Sequence, residues 1–182
     1  LTDFEQRFKR KSEGMWLSET AVDLETLDIL AEHGIKFTIL SPGQVKRIRK
    51  IGDSNWQNVN RDNIDTSRPY LCRLPSGRSI SLFFYHGATA GDVANGSILR
   101  SGELFAGKLL WLLEDNGERA RLAHIATDGE TFGHHHRYTD MALAYCTHYI
   151  QSKNLAKFTN YGEYLVKFPP TYEAEIYENS SW

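Results

Sequence analysis

The sequence predicts an α/β protein built on parallel strands with helical crossovers, with a β-hairpin inserted among them. Three observations predict it. Short apolar runs alternate with longer amphipathic stretches, and strand–helix–strand alternation implies a parallel sheet whose helices are the crossovers. A turn at Pro75-Ser76-Gly77 separates two runs rich in aromatic and branched residues, which reads as a hairpin. The 182 residues, 41% hydrophobic and 24% charged, suffice for one ordinary domain with a sizeable core.

Taken in order, residues 2–12 are charged and read as a helix. Gly14-Met15-Trp16-Leu17 is a short apolar run that fits a buried strand, with polar Ser18-Glu19-Thr20 at its end. Val22, Leu24, Leu27, Ile29 and Leu30 predict a helix to about residue 33, with Gly34 as its stop. Residues 35–40 read as a second strand. Ser41-Pro42 is expected to open a helix over 43–51, since proline suits a first turn. The polar stretch 52–68 reads as an inserted loop, and 70–74 and 79–85 as the hairpin strands. Helices follow at 91–99 and 102–115. Residues 121–127 are expected to form a third core strand, 134–152 a long helix, and 173–177 a last strand. No repeat or low-complexity segment is present.

The formal charge of −2 gives no global basic field for nucleic acid. Two basic clusters, 9–11 and 46–50, read as solvated helix faces. The two cysteines, Cys72 and Cys146, lack CxxC spacing, so a disulfide framework or structural zinc site is not expected. Free thiols fit a reducing cytoplasm. No apolar run is long enough to span a bilayer. The chain starts at Leu1 without a methionine, so a missing natural N-terminus is expected.

The acids are the informative residues. Glu19 lies just past one apolar strand and Asp128 directly follows another. In parallel α/β folds the carboxyl ends of strands form the functional rim, so two distant strands would deliver two carboxylates to one cleft. Glycosidic chemistry needs such a pair: one carboxylate attacks or stabilises the anomeric carbon and the other protonates the leaving oxygen. The plainer reading of either acid is a helix cap or a surface residue. The segment Asp128-Gly129-Glu130-Thr131-Phe132-Gly133 has two glycines in a polar turn, which lets the backbone approach a ligand closely. An ordinary capped strand-to-helix turn is the alternative.

His134, His135 and His136 point in different directions if helical, because neighbours lie about 100° apart, so they are not expected to share one metal ion. One of them, His134, facing the cleft as a donor to sugar hydroxyls fits better. His86 occupies another rim position, and His124 reads as core. Trp16 either packs in the core or offers a face to a sugar ring. Trp111 reads as helix packing.

Together the two motifs resemble glycoside hydrolase family 57, which includes α-amylase-like hydrolases, 4-α-glucanotransferases and glycogen-branching enzymes. Trp16-Leu17-Ser18-Glu19 matches the family's Trp-Leu-x-Glu motif, which implies Glu19 as nucleophile and Trp16 as a substrate-contacting aromatic. Asp128, Glu130, Phe132 and Gly133 match its Asp-x-Glu-x-Phe-Gly motif, which implies Asp128 as general acid/base, with Glu130 and Phe132 beside the substrate. The stretch 82–87 and the tail 178–182 resemble a little-characterised branch of the family. The resemblance implies part of an incomplete (β/α)7 barrel, with residues 1–182 as a single domain truncated at both ends. It implies a retaining hydrolase or glucanotransferase on α-glucan-like sugar. Neither cofactor nor metal is implied. The expected partner is a carbohydrate, with no nucleic acid and no membrane, and the chain by itself is expected to be inactive. In a retaining enzyme the two carboxyl groups stand about 5–5.5 Å apart. Two alternatives are a metal-dependent carbohydrate deacetylase, using Asp128 with His124 or His134, and a non-catalytic carbohydrate-binding barrel.

Overall fold

A computed structural model describes residues 1–114 and 119–182. The chain forms two compact units. Residues 1–84 and 160–182 make a sheet unit, and residues 85–159 make a helical unit.

The sheet unit holds seven strands: β1 (Gly14–Met15), β2 (Phe37–Leu40), β3 (Val45–Lys50), β4 (Gln57–Asn58), β5 (Pro69–Arg73), β6 (Ser79–Phe84) and β7 (Tyr172–Ile176). Their spatial order is β1-β2-β6-β5-β7-β3-β4. The β1–β2, β2–β6 and β5–β7 pairs are parallel. The β5–β6, β7–β3 and β3–β4 pairs are antiparallel. The expected α/β class therefore holds. β2 is buried at every residue and β6 at all but its first, as strands covered on both faces must be.

Helix α1 (Thr2–Phe8) buries nothing, whereas α2 (Leu24–Glu32) buries Leu27 and Leu30 in the main core. That core joins them to Leu40, Val45, Tyr70, Ile80, Leu82, Phe84 and Ile176. At Gly14 any Cβ would lie 2.3 Å from the Phe37 ring, so only glycine lets β1 pair with β2 there.

The helical unit comprises α3 (Gly87–Ala94), α4 (Gly102–Trp111) and α5 (Thr139–Ser152). Its core contains Val93, Leu99, Phe105, Ala106, Cys146 and Ile150. The Ser101 hydroxyl caps α4 by accepting from the Glu103 and Leu104 amides. The expected last residue of this helix, 115, lies outside the described residues.

Several elements differ from expectation. The helix expected at 43–51 is a 3-10 turn, Pro42–Gln44, followed by β3. The reason is tertiary: Arg47 and Arg49 face Glu175 and Glu173 across the β3–β7 ladder, at 2.7 and 2.6 Å. Cross-strand charge pairs of this kind stabilise a strand, and both guanidinium groups lie over the Trp56 ring, at 4.7 and 4.5 Å from its centroid. The Glu173 side chain also accepts from Arg73 at 2.7 Å. Burial pushes its carboxyl up, but the hydrogen bonds and charges of the two arginines outweigh that and hold it below the ordinary range.

The hairpin forms where expected, as β5 and β6, but it is no appendage, because β6 continues the parallel run beside β2. Residues 121–127 form no strand; the His86 amide donates to the His124 carbonyl there, at 3.1 Å. The long helix begins at Thr139 rather than 134, because Gly133 and Tyr138 take positive φ, 97° and 64°. An unforeseen helix, α6 (Tyr161–Lys167), is capped by Asn160 and packs Tyr161 against Phe37 and Phe83. No helix is long and apolar enough to cross a membrane among the described residues.

Candidate active site

In the sheet unit, the chain leaves the carboxyl end of β1 and turns sharply over Ser18–Thr20. Glu19 and Thr20 both take positive φ, 55° and 50°. That region is unusual for a non-glycine residue and strained for a branched one such as threonine, at about 1–3 kcal/mol each. Such strain persists only where the surroundings over-determine the backbone, and here they do.

Thr20 is fully buried, and its carbonyl accepts from Gln44 Nε2 at 2.9 Å. Gln44 is itself 1% exposed, and the same amide nitrogen donates to Ser180 Oγ at 3.1 Å. Its Oε1 accepts from the Ser41 amide at 2.8 Å, closing a capping box. Val22 and Ser180 exchange backbone hydrogen bonds at 3.0 and 3.2 Å. Asp23 then caps α2 by accepting from the Thr26 amide, and that hydrogen bond lowers its pKa.

The result is an exposed Glu19 carboxylate on a fixed turn. Its Oε2 accepts from the Trp182 indole N–H at 2.8 Å, and its carbonyl accepts from the Trp182 amide at 3.3 Å. Trp16 is 43% exposed, and its ring lies 5.2 Å from that of Trp182. One polar atom stands out beneath this loop. Thr20 Oγ1 is buried and has no hydrogen-bond partner among the described residues. An orphan of this kind costs about 1–3 kcal/mol.

In the helical unit, Asp128 precedes a 3-10 turn, Gly129–Thr131. Asp128, Gly129 and Glu130 are exposed. The Asp128 side chain takes no cap hydrogen bond, while its carbonyl accepts from the Thr131 amide at 3.1 Å. The turn's backbone is well held. Thr131 is buried, and its hydroxyl lies 3.0 Å from that of Thr127. The Glu130 carbonyl accepts from the amides of His134 and His135, and the Thr139 hydroxyl donates to the His136 carbonyl at 2.6 Å. Phe132 is half-buried and stacked on Phe105, with centroids 6.5 Å apart, in the helical core.

The three histidines separate in role. His136 lies 2.8 Å from the Ala94 carbonyl through Nε2, so that nitrogen carries the proton and donates. Its ring lies over Gly96, where a Cβ would approach it to 2.8 Å. His134 and His135 are exposed with their rings edge-on at 5.2 Å. Among the described residues no group of three His, Cys, Asp or Glu side chains is disposed to hold a metal ion.

His86 caps α3: its Nδ1 accepts from the Thr89 amide at 3.2 Å and meets the Thr89 hydroxyl at 2.8 Å. Burial lowers its pKa, Lys108 adds to that, and Asp92 opposes it. Because Nδ1 accepts from the Thr89 amide, the ring proton sits on Nε2. Trp111 is exposed rather than packed between helices, and meets the His86 ring edge-on at 6.3 Å.

Sequence reasoning missed Gln44, Thr20 and Trp182. Trp182 stands 163 residues from the carboxylate it touches, and no local pattern marks such a pair.

A family model described as glycosyl hydrolase family 57 matches residues 3–177. No curated protein matches. Among solved structures, the chain resembles a 4-α-glucanotransferase from Thermococcus litoralis, at a TM-score of 0.72 and 21% identity, over 99% of this chain and 26% of that one. It also resembles a GH57-type branching enzyme from Pyrococcus horikoshii, at a TM-score of 0.70 and 18% identity, over 100% of this chain and 42% of that one. An exo-type maltose-forming amylase from Pyrococcus sp. ST04 gives a TM-score of 0.72 at 14% identity, over 99% of this chain and 31% of that one. The chain thus spans well under half the length of each, and the likeness is one of fold.

Proposed function

The chain belongs to glycosyl hydrolase family 57, and from that premise we propose that it acts on α-glucan-like carbohydrate by a retaining mechanism, with Glu19 as nucleophile and Asp128 as general acid/base. The observation that carries the reading is the Glu19 turn. A strained backbone at the carboxyl end of a parallel strand presents an exposed carboxylate, and that combination marks a working site in α/β folds.

In the proposed reaction the Glu19 carboxylate attacks the anomeric carbon while the bond to the leaving sugar oxygen breaks. The Asp128 carboxyl gives its proton to that oxygen. Asp128 then takes a proton from water or from an acceptor hydroxyl, whose oxygen displaces Glu19 from the sugar. The Trp16 ring, exposed beside Glu19, offers an apolar face to a sugar ring. Glu130 and His134, exposed on the Asp128 loop, and the Nε2–H of His86 serve as polar contacts to hydroxyls. Phe132 acts from behind, through its packing on Phe105.

The test uses full-length protein with maltoheptaose and with α-maltosyl fluoride. Glu19→Gln is expected to lose roughly 10⁴-fold or more in turnover of both. Asp128→Asn should lose a similar factor on maltoheptaose but form the glycosyl-enzyme readily from the fluoride, whose leaving group needs no proton. NMR should show the α-anomer as the first product. Release of the β-anomer, or an active Glu19→Gln, would overturn the proposal.

A further inference from the structure

We infer that Trp182 is a positioning residue for Glu19, orienting the nucleophile through its indole N–H. The inference rests on the reading of Glu19 as nucleophile and adds a partner to it. An indole N–H is a donor only, and this one ends on Oε2 of Glu19 at 2.8 Å. Among the described residues Oε1 takes no hydrogen bond, so the carboxylate has one anchored oxygen and one open to an incoming carbon. The Trp182 amide also donates to the Glu19 carbonyl, so one residue holds Glu19 at both side chain and backbone.

The segment that brings Trp182 there is built for the purpose. Ser180 and Val22 form an antiparallel bridge across the base of the turn. Gln44 donates to both sides of it, to the Thr20 carbonyl and to Ser180 Oγ. Tyr177 donates its amide to the Gln44 carbonyl at 2.8 Å, and Ser180 Oγ donates to the Tyr177 carbonyl at 2.7 Å. Glu178 accepts from the Leu24 amide at 3.2 Å. The Trp182 ring is then placed against Trp16, tilted by 59°. A nucleophilic carboxylate needs a fixed direction of approach.

The experiment compares full-length wild type with Trp182→Phe, Trp182→His and Glu19→Gln on α-maltosyl fluoride. Trp182→Phe keeps a smaller aromatic ring beside Trp16 and removes the donor. Its kcat/KM should fall about 10- to 100-fold, as expected for one charge-assisted hydrogen bond. KM should stay within about threefold, so the loss falls on kcat, as expected for a group that orients the nucleophile rather than binds substrate. Trp182→His, which restores a ring N–H, should recover part of the rate. A Trp182→Phe enzyme with the wild-type rate would overturn the inference. If Trp182→Phe does not fold, the wild-type Trp182 indole NMR signal decides. It should differ between wild type and Glu19→Gln, which replaces the charged acceptor by a neutral amide, and a signal unchanged by Glu19→Gln would overturn the inference. An inactive Glu19→Gln beside an unaffected Trp182→Phe removes the positioning role alone; an active Glu19→Gln removes the nucleophile reading with it.

Discussion

The two units hold their motif carboxylates in opposite ways. In the sheet unit, Glu19 sits on a turn fixed from below by Gln44, from the side by Ser180 and at the carboxylate itself by Trp182. In the helical unit, the turn carrying Asp128 is fixed just as well through Thr131, Thr139 and His136, yet the carboxylate takes no hydrogen bond from any described residue. The contrast matches the two proposed roles. A nucleophile works as an anion with one direction of attack, so an anchored oxygen helps it. A general acid/base must hold a proton, release it and take one back within a turnover, and a permanent donor on its carboxylate would favour the ionised form throughout.

The widest test of that contrast is the support beneath Glu19. Gln44→Met keeps the volume but removes the amide, leaving the buried Ser41 amide and the Thr20 carbonyl unpartnered. The expected loss is about 2–4 kcal/mol in unfolding free energy. Turnover should also fall by about tenfold as the strained turn relaxes. Denaturant unfolding and kinetics on maltoheptaose measure the two together. Full turnover in a destabilised variant would show that the Glu19 turn keeps its shape without Gln44.

The equivalent test in the helical unit should cost less. Gly96 has φ +76° and lies under the His136 ring that ties the Asp128 loop to the end of α3. Gly96→Ala adds both a left-handed non-glycine residue and a 2.8 Å approach to the imidazole. About 1–3 kcal/mol of destabilisation is expected. Hydrogen exchange should quicken in peptides from 87–96 and 128–140. Unchanged exchange in 128–140 would mean that His136 is not what fixes the loop.

The same contrast runs through what could be read from the sequence. In the helical unit α4 starts at the expected residue, 102, whereas α3 spans Gly87–Ala94, four to five residues before the expected 91–99, because the His86 side chain caps it. No strand forms at 121–127, because Leu122, Ile125 and Ala126 satisfy an apolar-run pattern that half-buried irregular chain meets equally well. In the sheet unit β3 is not legible locally, because Lys46-Arg47-Ile48-Arg49-Lys50, four basic residues around one isoleucine, looks like a solvated helix face until Glu173 and Glu175, about 125 positions on, are placed opposite. Trp16, Glu19 and Asp128 were legible because their neighbours carry a short motif. Trp182 and Gln44 act through contacts that only the folded chain creates, so nothing in their own surroundings announced them.

The smallest expected effect lies closest to the nucleophile. Thr20 Oγ1 is buried without a partner, on a residue already strained at φ 50°. Thr20→Val keeps the branching, and so leaves the backbone strain as it is, while replacing the orphan hydroxyl with a methyl. Removing a buried unpaired group is stabilising by about 1 kcal/mol, which raises the unfolding midpoint by about 2–4 °C in a chain of this size. Turnover should stay within about twofold, because a fully buried side chain touches no substrate. A loss of stability would mean that the hydroxyl is satisfied in solution, by water for instance. In that case the strain beneath Glu19 is all in the backbone, and the two motif turns differ less than their hydrogen bonds imply.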